Sequence, residues 1–302
     1  KDGFLDQNLV HRRGIEAFRP DVVHVATEGP IGIKARAATL RHNLPLTTSY
    51  HTRFPEYLRA RLPVPLALSY AMLRRFHNAA DAILVSTPTL EQDLATRGFR
   101  HLMRWSRGVD LGHYHPREQS CIDWPRPVFL NVGRVAVEKN LDAFLSLDLP
   151  GTKVIVGDGP QRAELMARYP EAVFTGAKTG AELAEFYRQA DVFVFPSRTD
   201  TFGVVLLEAL ASGLPIAAFP VMGPKDVIGE TKAGILSPDL REAAMQCLTL
   251  DRSACTALAD QYRWENSIRQ FRDSLGTAIN RHGSRMSGTA ESVKTTGSEF
   301  AP

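Results

Sequence analysis

From Val128 onward, short runs of β-branched and aromatic residues alternate with stretches whose apolar residues recur at helical spacing. The runs predict strands at Val128–Val132, Val154–Val156, Val173–Thr175, Val192–Phe195 and Ile216–Phe219. Helices are predicted between them, at Asn140–Ser146, Gln161–Arg168, Ala181–Gln189 and Val204–Ala211. Such alternation implies a parallel sheet covered by helices. Upstream the pattern is thinner. Strands are predicted at Val22–Val25, Leu46–Tyr50 and Ala82–Val85, with helices at Gly32–His42, Leu66–Asn78 and Leu90–Arg97.

The segment His113–Pro127, carrying Pro116, Pro125 and Pro127, reads as a linker. It divides the chain into an N-terminal domain (1–118) and a C-terminal domain (119–280). Residues 281–302 are rich in Ser, Thr and Gly and poor in large apolar residues, the composition of a disordered tail. Three strands are few for residues 1–118, and the chain has no initiator Met. A truncated N-terminal lobe is the expectation, with a naturally small lobe as the competing explanation.

The 302 residues, 44% hydrophobic, can build two cores without staples, which excludes a fibre or a disulfide scaffold. Residues 1–118 hold 17 basic and 11 acidic side chains, and the rest hold 19 and 22. A moderately basic first half fits an anionic partner or an ordinary solvated surface equally well. Cys121, Cys247 and Cys255 form neither an even set nor a CxxC pair, which points to a reducing compartment and no structural metal. No basic-then-apolar leader opens the chain, and the apolar stretch Gly203–Gly223 is interrupted by Glu208, Gly213 and Pro215. A cytoplasmic protein is expected.

Ligands of doubly wound sheets sit beyond the carboxyl ends of the strands, so those loops are where chemistry is sought. After Val128–Val132 comes GRVAVEKNLD, with Arg134 and Lys139 near a helix start where an anion is already favoured. A pair of solvated surface cations is the plain alternative. VIVGDGPQRAE has Gly157 and Gly159 for close backbone approach, but Arg162 stands where a dinucleotide fingerprint needs a third glycine. FPSRTDTFGVVLLEALASG places Asp200 in a loop and Glu208 among apolar residues of a helix, both beside one expected cleft. A carboxylate there needs strong partners, such as a neighbouring Arg or a ligand. In the first half, His51 stands just past the strand Leu46–Tyr50, and Glu28-Gly29-Pro30 follows Val22–Val25.

Together these residues resemble the GT-B retaining glycosyltransferases of glycosyltransferase family 4. The resemblance rests on Gly133-Arg134, Glu138-Lys139, Gly157-Asp158-Gly159-Pro160, Phe195-Pro196-Ser197 and Thr201-Phe202-Gly203 through Glu208-Ala209, and on SYHTRFPEY and RGVD upstream. It covers residues 20–275. It implies an α/β fold of two Rossmann-like doubly wound domains facing a cleft. Arg134 and Lys139 would then hold the diphosphate of a nucleotide-sugar donor, and Glu208 its ribose hydroxyls. Asp200, one methylene shorter than the family's glutamate, would contact the donor sugar. Gly133, Asp158, Thr201, Phe202, Gly203 and Val204 would line the donor subsite. His51 would orient sugar and acceptor at the reacting carbon, with Glu28, Gly29 and Arg53 on the acceptor side.

The resemblance further implies transfer of a hexose, mannose before glucose, from GDP-mannose or UDP-glucose to a lipid or glycan acceptor, with no cofactor and no nucleic-acid partner. No D-x-D sequence occurs, in keeping with metal-independent chemistry. Arg53, Arg59, Arg61, Arg74 and Arg75 flank the apolar Leu66–Leu73. That stretch reads either as an interfacial helix at the inner face of a membrane or as a core helix with basic ends. Two other functions stand beside the transferase: an inactive nucleotide-sugar-binding fragment, and an NAD-dependent oxidoreductase sharing the sheet.

Overall fold

The computed structural model describes residues 14–116 and 124–296. They form two units, residues 14–105 with 269–296 and residues 106–116 with 124–268. The first boundary therefore lies before the proline-rich segment rather than within it. Residues 106–116 are bound to the second unit: Arg188 donates to the His113 and His115 carbonyls, Tyr114 packs on Tyr187, and the Val109 N–H bonds the Tyr262 carbonyl. Backbone acceptors and one aromatic ring hold this segment, and its prolines gave no sign of either. Residues 117–123, with Cys121, lie outside the described residues.

The first unit is a four-stranded parallel sheet in the order β1 (Val23–Val25), β2 (Leu46–Tyr50), β3 (Ala82–Val85), β4 (Leu102–Arg104). Its helices are α1 (Pro30–Arg41), α2 (Phe54–Arg61), α3 (Leu66–His77) and α4 (Pro88–Thr96). Strand β2 is wholly buried although it reads Leu-Thr-Thr-Ser-Tyr. Its threonine and serine hydroxyls are satisfied by histidines: Thr47 and Ser49 bond the two ring nitrogens of His24, and Thr48 bonds Nδ1 of His77. Strand β4, unpredicted, is short and only half-buried, so it leaves little apolar signal.

The second unit carries β5 (Val128–Val132), β6 (Thr152–Val156), β7 (Val173–Gly176), β8 (Val192–Phe195), β9 (Ile216–Ala218) and β10 (Gly234–Leu236), all parallel, in the order β10-β9-β8-β5-β6-β7. Helices α5 (Asp142–Leu145), α6 (Arg162–Arg168), α7 (Gly180–Gln189), α8 (Val204–Ala211), α9 (Pro224–Val227), α10 (Leu240–Cys247) and α11 (Arg252–Ala259) alternate with or follow the strands. The direction of winding reverses between β5 and β8, the topological switch point where such sheets bind ligands.

Helix α12 (Trp264–Thr296) corrects the expected tail. From Arg269 it belongs to the first unit. Phe271 packs on the Trp105 and His24 rings, and further along, in the stretch expected to be a tail, the hold is polar: Arg281 bonds the Asp81 carbonyl, while His282 Nδ1 and Arg285 lie 3.2 and 3.3 Å from the Asp81 carboxylate. Asp81 is 2% exposed and also accepts the Leu46 N–H. A composition argument counts apolar surface and so misses an anchor made of charge on a buried aspartate. Residues 297–302 lie outside the described residues. No helix among the described residues is long and apolar enough to cross a membrane.

The loops after β5 and β6 touch. The Gly133 N–H bonds the Val156 carbonyl, and a Cβ on Gly157 would lie 1.8 Å from the Gly133 oxygen. Gly157 also has φ +152°. Gly157→Ala is therefore expected to lower the unfolding free energy by about 3 kcal/mol or more, clash adding to backbone strain. Chemical denaturation checks this; an unchanged midpoint would contradict it.

Candidate functional site

A cavity of about 360 Å³ opens at the switch point. Its walls come from the end of β5 (Asn131 to Arg134), the end of β8 (Phe195 to Ser197), Lys139, Asp200 and the start of α8 (Gly203 to Val205). Asn131 is turned into the sheet, its amide donating to the Val194 carbonyl at 2.9 Å and joining β5 to β8.

Lys139 arrives on the short 3₁₀ turn Val137–Lys139, ended by Asn140 in the left-handed region at φ 53°. Asn140 Nδ2 donates to the Pro196 carbonyl at 3.0 Å, and Ser197 Oγ donates to the Glu138 carbonyl at 3.3 Å. These two bonds fasten the turn to the end of β8. Lys139 Nζ then donates to both oxygens of Asp200, at 2.7 and 2.8 Å. The pair is partly buried, with the Asp200 side chain 18% exposed, so solvent screens it less than a surface pair. The expected phosphate cation and the expected sugar ligand are thus bound to each other. Arg134 is far more exposed and lies 3.6 Å from Glu138.

Gly203 caps α8 at φ 83°, where a Cβ would press on Phe195 and Leu206. The first helical amides lack intrahelical partners and favour an anion, and Val204 at the cavity wall leaves that end exposed. Phe202 does not line the cavity; it is buried against Tyr262 and anchors the loop. Thr201 is half-buried beside it. Asp158 is exposed and accepts the Gly159 N–H at 2.7 Å, a turn-forming contact away from the cavity walls.

Glu208 lies further along α8, half-buried and outside the cavity lining. Its protein partner is a tyrosine rather than an arginine, one of the two expected alternatives. The Tyr187 phenol donates to Glu208 Oε2 at 2.7 Å. Tyr187 is fully buried, and burial followed by the nearby carboxylate pushes its phenol pKa well up. Burial and Glu208 raise the Tyr114 phenol as well. Neutral phenols satisfy the carboxylate without cancelling its charge, so it keeps capacity to accept hydroxyl donors. Tyr114, Tyr187, Asn131 and Asn140 went unnoticed in the sequence; Tyr114 sits in the supposed linker, and the others lie in ordinary strand, turn and helix patterns.

In the first unit, Glu28 Oε1 lies 3.0 Å from Nε2 of fully buried His77, and Gly29 caps α1. His51, half-buried after β2, lies beside the Trp105 ring. Arg53 is committed locally: it donates to Glu56 Oε1 at 2.8 Å, an oxygen that also takes the Tyr70 hydroxyl at 2.7 Å. Glu28 and Gly29 line a second cavity, whereas His51 and Arg53 do not. Among the described residues no group of three or more His, Cys, Asp or Glu is placed to hold a metal ion.

A doubly wound unit with a cation, a carboxylate and a helix N-terminus at its switch point defines an α/β protein with an anion-favouring cavity where such sheets take their ligands. Two family models match the chain, Glycosyltransferase Family 4 at residues 5–113 and Glycosyl transferases group 1 at residues 126–251. A GDP-mannose-dependent alpha-mannosyltransferase of Mycobacterium tuberculosis is 37% identical over 235 residues, 75% of this chain and 62% of that protein. A sulfoquinovosyl transferase of Arabidopsis thaliana is 34% identical over 295 residues, 87% of this chain and 58% of that protein. The chain thus spans about three fifths of the length of these relatives. Anabaena HepE, solved with UDP and glucose, superimposes with a TM-score of 0.72 at 16% identity, covering 89% of this chain and 81% of that one. The fold is GT-B, and the chain belongs to glycosyltransferase family 4.

Proposed function

We propose that the protein is a retaining glycosyltransferase that moves a hexose from a nucleoside-diphosphate sugar to a hydroxyl of a lipid or glycan. The observation that carries this reading is the Lys139–Asp200 pair beside the α8 N-terminus in the switch-point cavity. As the donor's glycosidic bond breaks, negative charge grows on the diphosphate and positive charge on the anomeric carbon. Lys139, Arg134 and the amides at Gly203–Val204 stabilise the first without drawing on a metal. Asp200 releases Lys139 towards phosphate and turns to sugar hydroxyls. Glu208, held by Tyr187, accepts the ribose hydroxyls.

GDP-mannose is the favoured donor and UDP-glucose the next, in keeping with the GDP-mannose-dependent mannosyltransferases of three bacterial species among the relatives. Helix α3 buries Tyr70, Leu73 and His77 but turns Leu68 and Met72 outward, which supports peripheral contact with a membrane at its inner face. In this reaction His51 orients sugar and acceptor. His51→Ala is expected to lower transfer about tenfold or more while nucleotide affinity stays near wild type; an affinity loss alone would contradict the role.

The test is incubation with GDP-mannose and UDP-glucose, separately, with an alkyl glycoside acceptor, the product read by proton NMR at the new anomeric centre. An α-linked product from one donor is expected. Nucleotide binding without product from either donor, or hydride transfer with NAD, would overturn the reading.

A further inference from the structure

The second cavity, about 310 Å³, lies wholly in the first unit. Its entrance and floor have different chemistry. The walls are Phe54 and Leu58 of α2 with Met72 and Leu73 of α3. Phe54 and Met72 are 51% and 66% exposed, a large apolar surface left open to water on the two helices that form the cavity. The polar lining comes from Thr27, Glu28 and Gly29 together with Ser69. Thr27–Gly29 follows the carboxyl end of β1, the edge where α/β sheets take their ligands.

Two polar groups here are prepared for a donor or acceptor from outside. Ser69 lines the cavity but is only 4% exposed, and its Oγ is buried with no hydrogen-bond partner, an uncompensated cost that a turn of its rotamer towards a ligand hydroxyl removes. Glu28 is positioned by fully buried His77, whose other nitrogen is held by Thr48. One bond from His77 leaves a carboxylate with capacity for further donors. The lining contains this carboxylate and no Lys or Arg, so a phosphate or carboxylate ligand is disfavoured. A wholly polar sugar would leave the Phe54–Met72 walls in contact with water. The ligand these walls and this floor share is a molecule with an apolar chain and an uncharged hydroxylated head.

We infer that this cavity binds a hydroxylated amphiphile, its chain between α2 and α3 and its head at Glu28 and Ser69. Assigning that amphiphile as the acceptor rests on the glycosyl-transfer reading; the binding itself does not. Its volume falls in the ordinary range of small-molecule sites.

The test uses the full chain without nucleotide and n-octyl glucoside below its micellar concentration, with methyl glucoside as the chainless control, both by titration calorimetry and saturation-transfer NMR. Octyl glucoside is expected to bind at least tenfold more tightly, with saturation strongest on its alkyl protons. Met72→Gln and Ser69→Ala, each checked for a native circular dichroism spectrum, are expected to weaken it fivefold or more. A second arm sediments the chain with phosphatidylcholine vesicles carrying or lacking dioleoylglycerol. Pelleting that needs the diacylglycerol and is competed by octyl glucoside makes the natural source a membrane lipid; octyl glucoside binding without pelleting makes it a soluble amphiphile. Equal affinity for octyl and methyl glucoside, or full binding in both variants, would overturn the proposal. Amphiphile binding with no transfer from either donor would instead overturn the reaction and leave the cavity's role standing.

Discussion

Lys139→Ala is expected to slow turnover of the sugar nucleotide about 10²–10³-fold, the loss typical of removing one preorganised charge from a site of developing negative charge. The mutation acts twice. It removes the cation, and it leaves the Asp200 carboxylate, 18% exposed, without the ammonium that now sits on both its oxygens. An unpaired carboxylate in the same cavity repels a diphosphate, so nucleotide affinity should fall along with the rate. The two effects separate in a cycle. Asp200→Asn in the Lys139→Ala background removes the repulsion and should recover part of the nucleotide affinity, while the rate stays low because the cation is still missing. Titration calorimetry with GDP and initial-rate measurements read the two quantities. Lys139→Ala turning over at the wild-type rate would contradict the site.

The second large effect is at Glu208, where stability and binding divide between two substitutions. Glu208→Ala takes the acceptor from a wholly buried phenol, and leaving Tyr187 unpaired is expected to cost about 1–3 kcal/mol of stability. Glu208→Gln keeps an oxygen for Tyr187 but loses the charge. It should melt near wild type and yet bind nucleotide roughly tenfold or more weakly, since bonds to a charged acceptor are the stronger kind. Thermal unfolding followed by circular dichroism compares the first pair, and calorimetry with GDP the second. Wild-type affinity in Glu208→Gln would remove the carboxylate from the donor site.

Much of the second unit was legible because buried parallel strands write themselves as continuous apolar runs. Val128–Val132 and Val192–Phe195 fall where predicted, and so does α8, Val204–Ala211. The misses have physical causes. Gly234–Leu236 is a three-residue edge strand, too short to stand out from a loop. Helix α2 begins Phe-Pro-Glu, where proline reads as a break although it suits a first turn.

At the site, the sequence put Asp200 beside Glu208, whereas the cavity is lined by Lys139 and Asp200, whose mutual ion pair depends on the Asn140 and Ser197 bonds that bring the turn to β8. No spacing rule encodes those. Glu208 stood out because a carboxylate interrupts an apolar helix, yet its partner Tyr187 lies on another helix and was indistinguishable from ordinary core. The long C-terminal helix shows the same limit from the other side: Asp81, two hundred positions away, supplies the anchor for Arg281.

Whether the switch-point cavity binds a nucleotide is most directly read by thermal unfolding of the purified chain with GDP, UDP, ADP and NAD in parallel, each repeated on Glu208→Gln and Lys139→Ala. A ligand held by the folded state alone raises the midpoint with its occupancy. A rise with GDP or UDP that shrinks in both variants is the predicted result, and the larger of the two rises names the base. No rise with either, or one with NAD that both variants retain, would contradict a nucleotide-sugar site built on Lys139, Asp200 and Glu208.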